Sequence, residues 1–269
     1  MVPVQPKHLE PSELGTKQYW EDAYSREIDN HKTSPDDEGT VWFSDSGAEE
    51  KVLDFLECYA DDGVLFKDAR NEHANVPTSF LDLGTGNGHL LFALRDAGWD
   101  GLMLGVDYSA KSVQLARQIG KARTEQNEGQ DDAEDEHDDT EGKSTRPVYF
   151  AEYDILNPTP LSDAPAAGFD VVLDKGTFDA ISLSSETTPD GRRICETYCE
   201  KVLPLLKTGG LFVITSCNWT EDELTAWFVH DTPSVAGSFE LCDRIEYPSF
   251  TFGGRKGSSV ATLCFKRTS

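Results

Sequence analysis

Apolar residues in this chain come in short runs, each closed by an acid, a glycine or a small polar residue. The run Phe80-Leu81-Asp82-Leu83 breaks into Gly84-Thr85-Gly86-Asn87-Gly88, which predicts a strand feeding a turn with glycine at every second position. From His89 to Ala97 the stripe Leu90, Leu91, Leu94 has helical spacing, and Gly98 is its stop. Leu102 to Asp107 predicts a second strand, and Ser109 can cap a helix through Val113, Leu115, Ala116 and Ile119. Val148 to Glu152 and Phe169 to Leu173 follow as strands, the latter apolar enough to be central. A helix from about Arg192 to Leu206 leads to a fifth strand, Leu211 to Thr215. Thr220 caps a short helix carrying Leu224, Trp227 and Phe228. The late runs Phe239–Tyr247 and Val260–Lys266 have no helix between them, which predicts an antiparallel pair at the sheet edge. The sum is an α/β chain: a seven-stranded, mostly parallel sheet with helices on both faces and an antiparallel terminal hairpin.

Ahead of the first strand, residues 1–48 form an extension in which Tyr19, Trp20, Tyr24, Trp42 and Phe43 alternate with charges. Thr16 is its expected helix cap. These aromatics either pack on the main domain or belong to a segment that closes over a ligand. Val52, Leu53, Phe55, Leu56 and Tyr59 then repeat at helical spacing from Glu49 onward, so the main domain is placed at residues 49–269. The stretch from Thr124 to Arg146 is dominated by Asp, Glu and other polar residues and is expected to be a disordered insertion.

Charge narrows the partners. A formal net charge of −25 repels nucleic-acid phosphates and anionic membranes and attracts basic proteins. No run approaches the roughly 18 consecutive apolar residues that span a bilayer, and the N-terminus has no signal-peptide core. A cytoplasmic, monomeric protein is expected. The six cysteines lack paired spacing, so reduced thiols are expected and no metal set is assigned.

The glycine turn could serve two cofactors. A dinucleotide fingerprint has two residues between its second and third glycine, but here Gly88 comes one residue early and His89 stands where that glycine should be. S-adenosylmethionine, with an ammonium and a ribose but no phosphate, suits the acid Asp82 better. Asp107 lies about twenty residues past the turn, where a carboxylate can accept bonds from ribose hydroxyls. Asp154 ends the third strand, where an acid can face the amine of an adenine with Ile155 near the base, though alone it would be an ordinary loop carboxylate. Three acids at the ends of successive strands raise the nucleoside reading well above that of a purely structural turn.

At this point the chain resembles the Rossmann-like class I, seven-strand S-adenosylmethionine-dependent methyltransferases from about residue 49 to its end. Leu14–Trp20, Asp82–Leu91, Asp174-Lys175-Gly176-Thr177-Phe178-Asp179-Ala180-Ile181 and Ser216-Cys217-Asn218-Trp219-Thr220 resemble more narrowly the protein-lysine methyltransferases of translation elongation factor 1-alpha. The resemblance implies S-adenosylmethionine as cofactor and that elongation factor as protein substrate. It places Trp20, Asp82, Gly84, Thr85, Gly86, Gly88, Asp107, Tyr108, Asp154, Ile155 and Asp174 around the cofactor. Lys175, Phe178, Asn218 and Trp219 would form the substrate channel, with Trp20 a further wall. Asp174 is the expected carboxylate that orients the acceptor lysine, or else it holds the donor's amino-acid end. Such an amine must first lose a proton from a group of pKa about 10.4. Methylation of another protein, a small molecule or RNA on the same fold is the alternative. A non-catalytic binding module is a third, against which the full set of acids and glycines argues.

Overall fold

The computed structural model describes residues 6–69, 76–128, 146–161, 164–229, 237–248, 250–252, 255–257 and 259–268. In chain order its helices and first strands are α1 (Lys17–Thr33), α2 (Ala48–Asp61), β1 (Phe80–Leu83), α3 (His89–Asp96), β2 (Met103–Asp107), α4 (Ala110–Glu128) and β3 (Tyr149–Glu152). Then follow β4 (Phe169–Lys175), α5 (Thr177–Ser182), α6 (Tyr198–Val202), β5 (Leu206–Ser216), α7 (Glu221–Phe228), β6 (Ser238–Ile245), β7 (Phe250–Phe252), β8 (Arg255–Gly257) and β9 (Ala261–Thr268). Seven strands form one sheet in the order β3-β2-β1-β4-β5-β9-β6. The first five are parallel; β9 runs antiparallel between β5 and β6. Strand order reverses at β1, so the crevice for a ligand opens at the carboxyl ends of β1, β2 and β4.

The sheet carries helices on both faces because its central strands are buried at nearly every position and mostly apolar. Successive side chains point to opposite faces. Phe80, Met103, Val171, Leu173 and Val213 pack with Val52 and Leu56 of α2, Leu91 of α3 and Leu115 of α4. Leu81, Leu104, Val172, Phe212 and Ile214 pack with Phe178, Tyr198, Val202 and Phe228 of α5, α6 and α7. Both faces are dry, which accounts for runs without alternation.

Thr16 accepts from the Tyr19 amide and Thr220 forms a reciprocal capping box with Glu223, so both expected caps are present. The expected helix from Arg192 to Leu206 is broken instead: a 3-10 turn Ile194–Thr197, the short α6, and a second 3-10 turn Leu203–Leu205. Pro204 lacks the amide an α-helix would need there. Strand β5 consequently starts at Leu206, five residues before the apolar run, and its register with β4 shifts between Phe169 and Val171. The small hairpin β7–β8 occupies what reads in sequence as a plain connection. Residues Thr124 to Glu128, expected in the insertion, continue α4, with Lys121 and Glu125 paired one turn apart; 129–145 lie outside the described residues. Among the described residues no helix is long and apolar enough to cross a membrane.

Candidate active site

The crevice is built where the turn after β1 meets the turn after β4. Thr177 Oγ1 donates to the Leu83 carbonyl at 2.7 Å, tying the two turns together. Gly84, at φ +65°, sits against this bond: a Cβ there would lie 2.0 Å from Thr177 Oγ1. A side chain there would have to displace Thr177, and the bare backbone of Gly84 is left on the wall of a cavity of about 620 Å³.

Asp107 holds the other side of the turn. Its Oδ2 accepts from the Gly86 amide at 3.2 Å and from Ser112 Oγ at 2.8 Å, and its Oδ1 accepts from the Ser109 amide at 2.9 Å. Burial pushes this carboxyl up to about 6, against those hydrogen bonds, which favour its charged form. Asp107 borders the cavity together with Trp20, Gly84, Tyr108, Asp154 and Ile155, so six of the expected cofactor residues share one wall. Asp154 is fixed by the Leu156 amide and the Asn157 side chain, both at 2.9 Å.

The remaining turn residues stand behind that wall. Gly86 is covered by Tyr24, whose hydroxyl would be 2.9 Å from an added Cβ, and Gly88 is packed beneath Phe150 and Phe92. Thr85 is buried, and Asp82 lies on the sheet face of α1 to α4. Burial pushes the Asp82 carboxyl up to about 7, opposed by Thr85 and by Lys175. Lys175 shares that face: its Nζ is 3.9 Å from Glu49 Oε2, and Glu49 Oε1 meets His89 Nδ1 at 2.5 Å. The Glu49 hydrogen bond raises the His89 pKa. Lys175 also reaches the Trp42 carbonyl at 3.4 Å and lies 6.0 Å from the Phe43 ring centroid.

Three residues expected on the acceptor side lie away from the cavity. Asp174 is 1% exposed and does not border the cavity; it shares the opposite sheet face with Val172 and accepts from the Tyr198 hydroxyl at 2.6 Å and the Thr177 amide at 2.8 Å. Burial pushes it up to about 7. Its hydrogen bonds tie the β4–α5 turn to α6. Phe178 and Trp219 are likewise core residues, ring against ring with Trp227, and neither walls the cavity. Lys175 and Asn218 do line it, as do Trp42, Phe43, Cys217 and Asp179.

Tyr24, Trp42 and Phe43 were visible in sequence only as aromatics in the extension. Trp20, Tyr24 and Trp42 form one ring cluster, with Trp20 anchored through Nε1 to the Leu14 carbonyl at 2.8 Å. Phe43 adopts φ 67°, rare for a residue with a Cβ, and its ring lies against Gly176.

A family model described as "Methyltransferase domain" matches residues 75–241. The chain belongs to this methyltransferase family. It is 37% identical over 96% of both chains to the protein-lysine N-methyltransferase EFM4 of Saccharomyces cerevisiae. It is 33% identical to the EEF1A lysine methyltransferase 2 of Homo sapiens, over 96% of this chain and 88% of that one. Among solved structures, the N-methyltransferase NodS of Bradyrhizobium japonicum, in complex with S-adenosyl-l-homocysteine, superposes with a TM-score of 0.51 at 14% identity, covering 93% of this chain and 99% of that one. That likeness is one of fold. The [4+2]-cyclase SpnF shares it, at TM-score 0.54, 13% identity and 97% and 99% coverage. The expectation of a class I methyltransferase therefore holds in sequence family and in architecture.

Proposed function

We infer that this chain is an S-adenosylmethionine-dependent protein-lysine N-methyltransferase acting on translation elongation factor 1-alpha. The observation that carries the reading is whole-length similarity to relatives named for that activity, at 37% and 33% identity. The reading assigns it to the cytoplasm and to translation, acting as a monomer.

The cavity's residues fit the cofactor. A buried carboxylate, Asp107, stands where hydroxyls can donate to it; Asp154, Tyr108 and Ile155 offer an acid and apolar walls for a base; Gly84 presents backbone where a Cβ would collide. When bound, the cofactor supplies an activated methyl group, so alignment and exclusion of water are the protein's tasks. In this reading Asp107 holds the ribose and Asp154 the adenine amine. The Trp20, Tyr24 and Trp42 rings, contributed by residues 1–48, close over the donor. The −25 net charge draws in a basic substrate.

The test is to incubate the purified protein with radiolabelled S-adenosylmethionine and an extract from cells lacking it. A labelled lysine in elongation factor 1-alpha, lost with Asp107→Ala, is the expected result. Label in RNA or small molecules, with none in protein, would overturn the substrate while leaving the fold and cofactor.

A further inference from the structure

We propose that Asp179 is the carboxylate that receives the acceptor lysine's ammonium group and takes its proton before methyl transfer. The proposal rests on the protein-lysine methylation reading above.

Position comes first. The acids assigned to the nucleoside, Asp107 and Asp154, follow β2 and β3, on one side of β1. Asp179 lies on the other side, on α5 after β4, and is tied to the end of β5: Ser216 Oγ donates to its Oδ1 at 2.5 Å, and the Cys217 amide to its Oδ2 at 2.8 Å. It is 5% exposed yet borders the cavity, beside Phe43, Ala180, Ile181 and Asn218. In-line transfer brings the acceptor to the methyl carbon from the side opposite sulfur, and Asp179 is a buried carboxyl on the part of the cavity that the residues assigned to the nucleoside leave open.

The chemistry of the surroundings agrees. Burial raises the Asp179 pKa, which lessens its mismatch with an amine, while apolar walls disfavour an ammonium. The titratable groups that act on it are Asp174 on the preceding strand and Cys217, whose thiol donates to Asp179 Oδ2 at 3.4 Å, with Asp45 acting on Cys217. The Cys217 thiol is pushed up to about 12 by burial and by Asp179, so it stays protonated and does not compete for the methyl group. Asp174 does not border the cavity, so it is not available to an acceptor there. In the step itself the ammonium proton passes to Asp179. The freed nitrogen pair then forms the bond to the methyl carbon, and the carbon–sulfur bond breaks with its pair left on sulfur. Asp179 afterwards releases the proton to water.

The experiment compares wild type with Asp179→Asn and Asp179→Glu on elongation factor 1-alpha, alongside S-adenosylhomocysteine binding by calorimetry. For Asp179→Asn, kcat is expected to fall about 100-fold or more, the range for lost general-base assistance, with binding changed less than about threefold. Its residual rate should climb about tenfold per pH unit toward the lysine pKa, and Asp179→Glu should restore part of the loss. Unchanged kcat and pH profile, or activity lost only in step with binding, would overturn the proposal. Should Asp179→Asn not fold, Ser216→Ala keeps the carboxyl but frees it; a slower kcat with normal binding supports the role, and an unchanged kcat ends it. A wild type that labels no lysine would instead bring down the function it rests on.

Discussion

The Tyr198 hydroxyl donates a 2.6 Å hydrogen bond to Asp174 Oδ2, joining α6 to the end of β4 inside a layer where both residues are fully enclosed. Removing that hydroxyl leaves a buried carboxylate with only backbone partners. Tyr198→Phe is expected to cost about 1–3 kcal/mol of stability, read as a lowered urea midpoint. S-adenosylhomocysteine affinity should stay near wild type, because neither residue borders the cavity. A large loss of affinity with intact stability would show that Asp174 serves the ligand.

Buried carboxyls, Asp82, Asp107, Asp174 and Asp179, give the ligand-free protein a defined pH response. Burial pushes Asp82 and Asp174 up to about 7 and Asp107 up to about 6, from an ordinary 3.8. Each binds its proton more tightly when folded, so stability falls as pH rises from about 4 to about 7. His89, raised from 6.5 mainly by its bond to Glu49, acts with the same sign at higher pH. Thermal melting between pH 5 and pH 8 should show the decline. S-adenosylhomocysteine should recover part of it, and its binding should release protons, since hydroxyl donors favour ionised Asp107.

Asp107→Asn replaces a carboxylate that accepts from Gly86, Ser109 and Ser112. In either orientation the amide's NH2 would face at least one of those donors. Cofactor affinity should weaken about 10- to 100-fold, the cost of roughly one to two charge-assisted bonds, measured by calorimetry at pH 7.5.

At Gly84 the left-handed φ and the 2.0 Å approach to Thr177 Oγ1 act together. Gly84→Ala must either push Thr177 off the Leu83 carbonyl or shift the turn. A loss of about 2–4 kcal/mol is expected from overpacking plus strain, with cofactor binding impaired in the fraction that remains folded. Gly98→Ala is the control, since it has the same sign of φ and no neighbour within 4 Å.

Glu49 links His89 to Lys175 beneath the glycine turn. Glu49→Gln removes the charge that raises the imidazole, so the His89 pKa should drop, followed by the imidazole proton shift in NMR titration. No change would mean that the contact does not form in solution.

The places of Asp107 and Asp154 at strand ends were legible because each closes an apolar run. Local rules suffice for that. The glycine turn, the caps at Thr16 and Thr220 and the antiparallel end of the sheet depend on the same short-range signals. The broken helix before β5 was missed although Pro204 marks it, because the apolar spacing continues across the proline.

By itself the sequence determined the strand ends, the glycine turn and the α/β order, since strand period and turn chemistry act between near neighbours. Tertiary structure alone decided which of two adjacent residues faces which layer. Alternation along β4 separates Asp174 from Lys175, but only the placement of α6 beneath one face encloses Asp174 with Tyr198, while α2 on the other brings Glu49 to Lys175. The same holds for Asp179, five residues beyond Asp174 and brought to the cavity by the end of β5, a strand that arrives some thirty residues later. A period tells a side chain which face it shares, and only packing tells it what lies there.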